Sequence, residues 1–335
     1  MSGSRPGPAL KLSDFAAAAA ARLDAGAWAY LAGGAADELT LLRNTQAWQG
    51  LSLAPRVLRP LAGGHTRLSL LGQALAHPIL LAPVAHQRLF HPDAERATAL
   101  AAAVQGAGLV LSAQDSTLLE DVAAQVLAEP ARGPLWFQLS WQADRGWLRA
   151  LLQRVEAAGF QALVLTVDAP TQGARDRERR AGFHLPQGVS AVNLAGAPQP
   201  LAPPAGGSAL FDGLLQQAAH WDDVAWLLQA TRLPVLLKGL LLPDDALYAA
   251  ALGVAGLIVS NHGGRTLDTT PAGDAGPGGG RCAGRGPGDP PVARRARNRD
   301  GPDRLPHAGR HRAGRAVAGL SGERRAGRPA QALRG

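Results

Sequence analysis

The sequence predicts an α/β chain built as a (β/α)8 TIM barrel, incomplete in that six strands are recognisable, with helices before it and a disordered C-terminal tail. Three observations predict it. Between residues 78 and 261, short continuous apolar runs alternate with amphipathic stretches, the pattern of buried parallel strands joined by helices. Five of the runs carry a polar residue at their ends, which suits a fold that places its chemistry at the carboxyl ends of strands. No G-x-G-x-x-G turn follows the first run, which argues against the dinucleotide-binding open sheet, the competing architecture.

The first 50 residues read as helical. Leu12-Ser13-Asp14 forms a cap, apolar positions recur around Trp28, Leu31, Leu39 and Leu42, and residues 12–50 are expected to cover the bottom of the barrel. The strand runs are Ile79–Ala85, Leu109–Ala113, Leu135–Leu139, Leu163–Asp168, Pro234–Lys238 and Leu257–Asn261. Helical stretches lie between most of them: Asp93–Gln105, Leu118–Leu127, Asp144–Ala158, Asp222–Ala230 and Pro243–Leu252. The gap between the fourth and fifth runs exceeds one crossover helix, and its Gly188–Ser208 stretch is rich in Gly, Ala and Pro. Residues 172–220 therefore read as a surface insertion.

Composition sets the limits. A chain of 335 residues, 46% apolar, can bury a large core. No apolar run approaches the ~20 residues of a membrane span, and the start has no secretory pattern, so a cytoplasmic chain is expected. Cys282 stands alone, which leaves no internal disulfide and no cysteine cluster at zinc spacing. The net charge of +8 resembles a nucleic-acid signature until it is located. Residues 273–335 hold 14 Arg, 15 Gly and 7 Pro, and they carry all of the excess positive charge. Val and Leu supply only five residues there, too few to offset ordering entropy, so this tail is expected to be disordered. Arginine without lysine or interleaved aromatics attracts phosphate but offers no stacking or base readout, so no specific nucleic-acid partner is expected.

The most informative string is Ser260-Asn261-His262-Gly263-Gly264-Arg265-Thr266-Leu267-Asp268, after the sixth run. A histidine beside two glycines and an arginine at a strand end offers a base next to a fixed cation, which suits proton abstraction near a carboxylate. The same string also reads as a hydrogen-bonded turn histidine. Asp168 and Lys238 at the ends of other strands favour the chemical reading, because a carboxylate favours a protonated imidazole and a lysine stabilises an anion.

With that string the chain resembles the FMN-dependent 2-hydroxy-acid oxidase and dehydrogenase family, which includes glycolate oxidase, flavin lactate dehydrogenases and mandelate dehydrogenase. The resemblance runs from about Leu12 to Ala272, through AYLAGGAADELTLLRN, PILLAPVAHQ, HPDAE, LVLSA, FQL, LTVDAP, LPVLLKG and SNHGGRTLD in order. It implies a barrel of the FMN-linked type over residues 1–272 and FMN as the cofactor. It also implies oxidation of a small 2-hydroxy acid, such as lactate or glycolate, to the 2-oxo acid. By resemblance His262 is the base and Asp168 orients it; Arg265, Arg175 and Tyr30 hold the substrate carboxylate. Pro83, Val84 and Ala85 correspond to the backbone segment touching the flavin. Ser112, Gln138, Thr166 and Ser260 correspond to polar contacts, and Lys238 to the cation beside the reducible ring. The family often forms tetramers; neither the electron acceptor nor the oligomeric state of this chain is legible in it.

Departures from the family are equally specific. Ser140 stands where a tyrosine is usual, Gln114 where glycolate oxidase has a tryptophan, and His86 where an apolar residue is common. After Ala272 the family continues with two more strands, carrying the Asp-Gly-Gly and Gly-Arg motifs that cradle the flavin phosphate. Neither follows here, and the Arg/Gly/Pro-rich residues 273–335 look like a GC-rich frame translated out of register. Two other readings remain open: another FMN barrel such as isopentenyl-diphosphate isomerase type 2, and a non-catalytic remnant with a basic tail.

Overall fold

The computed structural model describes residues 9–198 and 203–272; the expectation for residues 273–335 lies outside them. Three helices come first, α1 (Leu12–Ala20), α2 (Ala25–Ala32) and α3 (Leu39–Gln49). An antiparallel hairpin follows, β1 (Leu68–Leu70) with β2 (Gln73–Leu75). Six parallel strands then hydrogen-bond in chain order: β3 (Leu80–Leu81), β4 (Gly108–Ser112), β5 (Leu135–Leu139), β6 (Ala162–Thr166), β7 (Val235–Leu240) and β8 (Gly256–Val259). Between them run α4 (Ala94–Val104), α5 (Leu119–Leu127), α6 (Arg145–Ala157), α7 (Asp176–Arg180), α8 (Trp221–Ala230) and α9 (Pro243–Leu252). The sheet curls into the arc of an incomplete (β/α)8 barrel. Among the described residues, β3 and β8 each have one strand neighbour.

Side-chain alternation along the strands sorts two cores. Leu109, Leu111, Leu135, Phe137, Leu163, Leu165, Val235 and Leu237 point outward and pack under α4–α6 and α8, against residues such as Val122, Leu148, Leu152 and Leu227. Most are under 3% exposed, and each full burial is worth ~1.5–3 kcal/mol. Val110, Trp136, Ala162, Val164 and Leu236 line the concave side, where Leu70 and Leu71 of the hairpin close over them. Period two then places Ser112, Gln138, Thr166 and Lys238 on that same concave side at the carboxyl ends. The candidate site residues and the inner core are thus the same rows of the sheet, read from opposite ends.

Two expectations change, and one element was not foreseen. The first run makes a strand of two residues rather than Ile79–Ala85, because Pro78 and Pro83 lack the N–H that a ladder needs. The N-terminal helices do not cover the bottom of the barrel. The Gly264 carbonyl accepts from Ala35 N at 2.8 Å, and the Asp268 carboxylate accepts from Thr40 N at 2.8 Å and Leu39 N at 3.2 Å at the open start of α3. These bonds hold the helices to the loop after β8, at the carboxyl end. The hairpin takes the place at the bottom, with Trp136 Nε1 donating to Gln73. Its turn, Leu71-Gly72, has positive φ at both residues and was not singled out in the sequence. Among the described residues no helix is long and apolar enough to cross a membrane.

Candidate active site

The loop after β8 is wound tightly. His262, Gly263 and Gly264 all take left-handed φ, at +57°, +66° and +72°. Glycine accepts this conformation at no steric cost, and a Cβ on Gly264 would lie 2.7 Å from Leu41 N, so the second glycine is also required for the approach of α3. His262 itself is a non-glycine residue in the left-handed region, a strain held by the surrounding bonds. Its N–H donates to Ser260 Oγ at 3.0 Å, and the Asn261 side chain accepts from Gly264 N while pairing with Asn44 of α3.

This winding brings His262 to the end of β6. Its Nδ1 lies 2.9 Å from Asp168 Oδ1, across 94 residues of sequence. Asp168 is 10% exposed and its Oδ2 is buried without a partner among the described residues, whereas His262 is 32% exposed. Gly239 makes room for the carboxylate: at φ +114°, a Cβ there would sit 2.5 Å from Asp168 Cβ and Cγ. Sequence reasoning missed Gly239, although a glycine directly after a strand-end lysine was the visible signal.

On the concave side, three adjacent strands join their polar ends. Ser112 Oγ donates to Gln138 Oε1 at 3.1 Å, and Gln138 Nε2 donates to Thr166 Oγ1 at 3.0 Å and to Ser140 Oγ at 3.3 Å. Lys238, next to Thr166 in register, is 7% exposed and has no hydrogen-bond acceptor among the described residues. Burial pulls its pKa below the ordinary lysine value, and the nearby Asp168 charge partly restores it. Pro83, Val84 and Ala85 form the loop just past β3, with Val84 exposed.

The predicted carboxylate partners also converge. The Arg265 guanidinium lies 5.1 Å over the Tyr30 ring and donates to Gly33 O at 2.6 Å. Arg265 Nη2 and Arg175 Nη1 both donate to Glu178 Oε1, at 3.2 Å and 2.9 Å. Burial raises the Tyr30 pKa while the two guanidinium charges oppose it, so the phenol keeps its proton at neutral pH. Phe183 at 5.0 Å, with Phe90 and His86 at 6.3 Å, completes an aromatic wall around Tyr30. His86 is buried, which lowers its pKa and favours the neutral ring. Glu178 is a second residue the sequence reading missed, although its i+3 spacing from Arg175 on a helix was its signal.

A buried polar web supports this end. Glu95 accepts from Gln87 N, Ser116 N and Thr117 Oγ1, while Asp115 accepts from Ser112 N. Asn193, fully buried in the long segment after β6, accepts from Leu119 N at 2.9 Å and donates to Thr117 O at 3.0 Å. That segment is therefore tied into the strand ends.

The chain matches known proteins over this same region. Residues 19–273 match the FMN-dependent dehydrogenase family. An L-lactate oxidase of Alicycliphilus denitrificans is 51% identical over 261 residues, covering 77% of this chain and 70% of that protein. Glycolate oxidase of Spinacia oleracea is 36% identical over 264 residues, 78% of this chain and 70% of the relative. A solved mandelate oxidase with (S)-2-phenylpropionate superposes with a TM-score of 0.69 at 37% identity, covering 79% of this chain and 72% of that one. Strand order, strand-end chemistry and these matches agree: the chain belongs to the FMN-dependent dehydrogenase family, the FMN-dependent oxidases of 2-hydroxy acids, oxidoreductases acting on CH–OH donors.

Proposed function

We propose that this chain's site binds a small 2-hydroxy acid by its carboxylate and takes one proton from it at His262, while FMN, when bound, would accept the remaining hydride equivalent, so that the 2-oxo acid results. The observation that carries the reading is the 2.9 Å contact between His262 Nδ1 and Asp168 Oδ1, three residues before Arg265 in the same loop. A carboxylate at that distance holds the proton on Nδ1 and leaves Nε2 as the free acceptor. Asp168 also stabilises the cation that forms when Nε2 takes the proton, whether that proton comes from the substrate hydroxyl or from the α-carbon. Arg265 and Arg175 fix the carboxylate through charge-assisted bonds, and the Tyr30 hydroxyl donates a third, which orients the reacting carbon toward His262.

The strand ends fit the ring of FMN. Lys238 is 7% exposed as a residue and its ammonium has no hydrogen-bond acceptor among the described residues, so a ligand's polar edge there would supply one. Ser112, Gln138, Thr166 and Ser260, with the backbone of Pro83, Val84 and Ala85, would hold the ring's polar edge. When bound, FMN supplies the two-electron acceptor. Lys238 would hold the bound ring and would supply positive charge beside it.

The relatives' names supply the first substrate to try, L-lactate, with glycolate and mandelate beside it. The test is anaerobic mixing of the protein, supplied with FMN in large excess to offset its weak affinity, with each acid, following loss of the yellow colour; free FMN with each acid is the control. Bleaching by at least one acid, absent in His262→Ala, is expected; bleaching at the same rate in that variant would refute the assignment.

A further inference from the structure

The two arginines assigned to the substrate carboxylate already share a carboxylate. We infer that Glu178 is an internal carboxylate that holds the Arg175–Arg265 clamp shut in the resting protein, and that an incoming ligand carboxylate displaces it. This rests on the reading that the two arginines form the carboxylate site.

Three observations point this way. One oxygen, Glu178 Oε1, accepts from both Arg175 Nη1 at 2.9 Å and Arg265 Nη2 at 3.2 Å. Among the described residues these guanidiniums are the only side-chain partners of Glu178, so nothing else anchors the carboxylate to this arrangement. Arg175 Nε is buried and has no acceptor among the described residues. A buried unsatisfied donor is unfavourable, so the clamp as it stands is incomplete. A carboxylate placed side-on, against Nε and one Nη together, would satisfy that donor in the two-pronged geometry guanidinium favours.

The location allows exchange. The three side chains are 15–20% exposed, shielded enough for charge to matter and open enough for a small anion to enter. Glu178 sits on α7, a helix of five residues followed by Gly182 at φ +62°, which is a short element to move. Substrate carboxylate and Glu178 then compete for the same donors, and Glu178 sets how much binding energy remains for the ligand.

The test is calorimetric titration of the full chain with pyruvate, a carboxylate the site cannot oxidise. Glu178→Gln keeps the shape and removes the charge, and should bind pyruvate about tenfold tighter than the unaltered chain, the difference between a charged and a neutral competitor. Glu178→Ala, which removes the competing group altogether, should tighten binding as well. A Glu178 that merely positions the arginines predicts weaker binding in both variants, and that result would overturn the latch. Arg265→Ala separates the two ideas. Loss of pyruvate binding there, together with unchanged affinity in the Glu178 variants, removes the latch but keeps the clamp. Equal binding by Arg265→Ala and the unaltered chain removes both.

Discussion

Replacing Gly239 by alanine should cost this protein far more than an ordinary glycine substitution, because the position supports Asp168. The new Cβ would lie 2.5 Å from Asp168 Cβ and Cγ and 2.9 Å from its backbone N, where ordinary contacts begin near 3.4 Å. The residue would also be held at φ +114°, a conformation L-residues avoid at ~1–3 kcal/mol. Asp168 must shift, and its 2.9 Å bond to His262 breaks, for a further ~1.5–3 kcal/mol. The total of ~2.5–6 kcal/mol is a large part of a typical stability of ~5–15 kcal/mol. Gly253 is the control: it has φ +95° at the end of α9, but nothing lies within 4 Å of its added Cβ, so Gly253→Ala isolates the backbone strain. Urea unfolding followed by tryptophan fluorescence measures both at unchanged slope. A Gly239→Ala loss no larger than that of Gly253→Ala would show that contact with Asp168 carries no weight.

Other outcomes follow from the same geometry. Arg265→Lys should weaken substrate binding by about tenfold or more while leaving flavin reduction at saturation less affected, since a point charge replaces a two-pronged donor; a pure loss of rate at unchanged KM contradicts this. Phe137→Ala, at a fully buried site stacked edge-on against Phe160 at 5.4 Å, should cost ~3–5 kcal/mol in urea unfolding. Burial raises Asp268, the largest single effect, but the hydrogen bonds from Thr40, Thr269 and Leu39 together outweigh it and bring its pKa to about 2. Its folded pKa is below the unfolded 3.8, so its contribution is complete above that value and disappears as pH falls toward 2; Asp268→Asn should flatten the acid unfolding curve in that window. FMN should bind this chain weakly, since residues 273–335 lack the phosphate-cradling motifs of the resembled family. Three lost charge-assisted bonds at ~1.5–3 kcal/mol each weaken binding by about four to six orders of magnitude, and a fluorescence titration showing tight, stoichiometric FMN would refute the estimate.

The sequence by itself determined the parallel sheet and its rows. Continuous runs such as LVLSA and LWFQL are legible because a strand buried on both faces is nearly all apolar, and the polar residue near the end of each, Ser112 or Gln138, marks the carboxyl end where the candidate site lies. SNHGGRTLD marked His262 and Arg265 as candidates for the base and a carboxylate partner through local requirements, two glycines in a left-handed turn and a cation three residues from a histidine. Only the tertiary structure decided what those residues meet. Asp168 and His262 are 94 residues apart, and the space for their contact comes from Gly239 on a third element. That Glu178 sits between two arginines, and that the N-terminal helices bind the carboxyl end of the strands rather than the bottom, depend on hydrogen bonds between segments 87 to 229 residues apart. Local patterning cannot specify such bonds, because they depend on where the curled sheet brings its loops together, and periodicity records only which way each side chain faces.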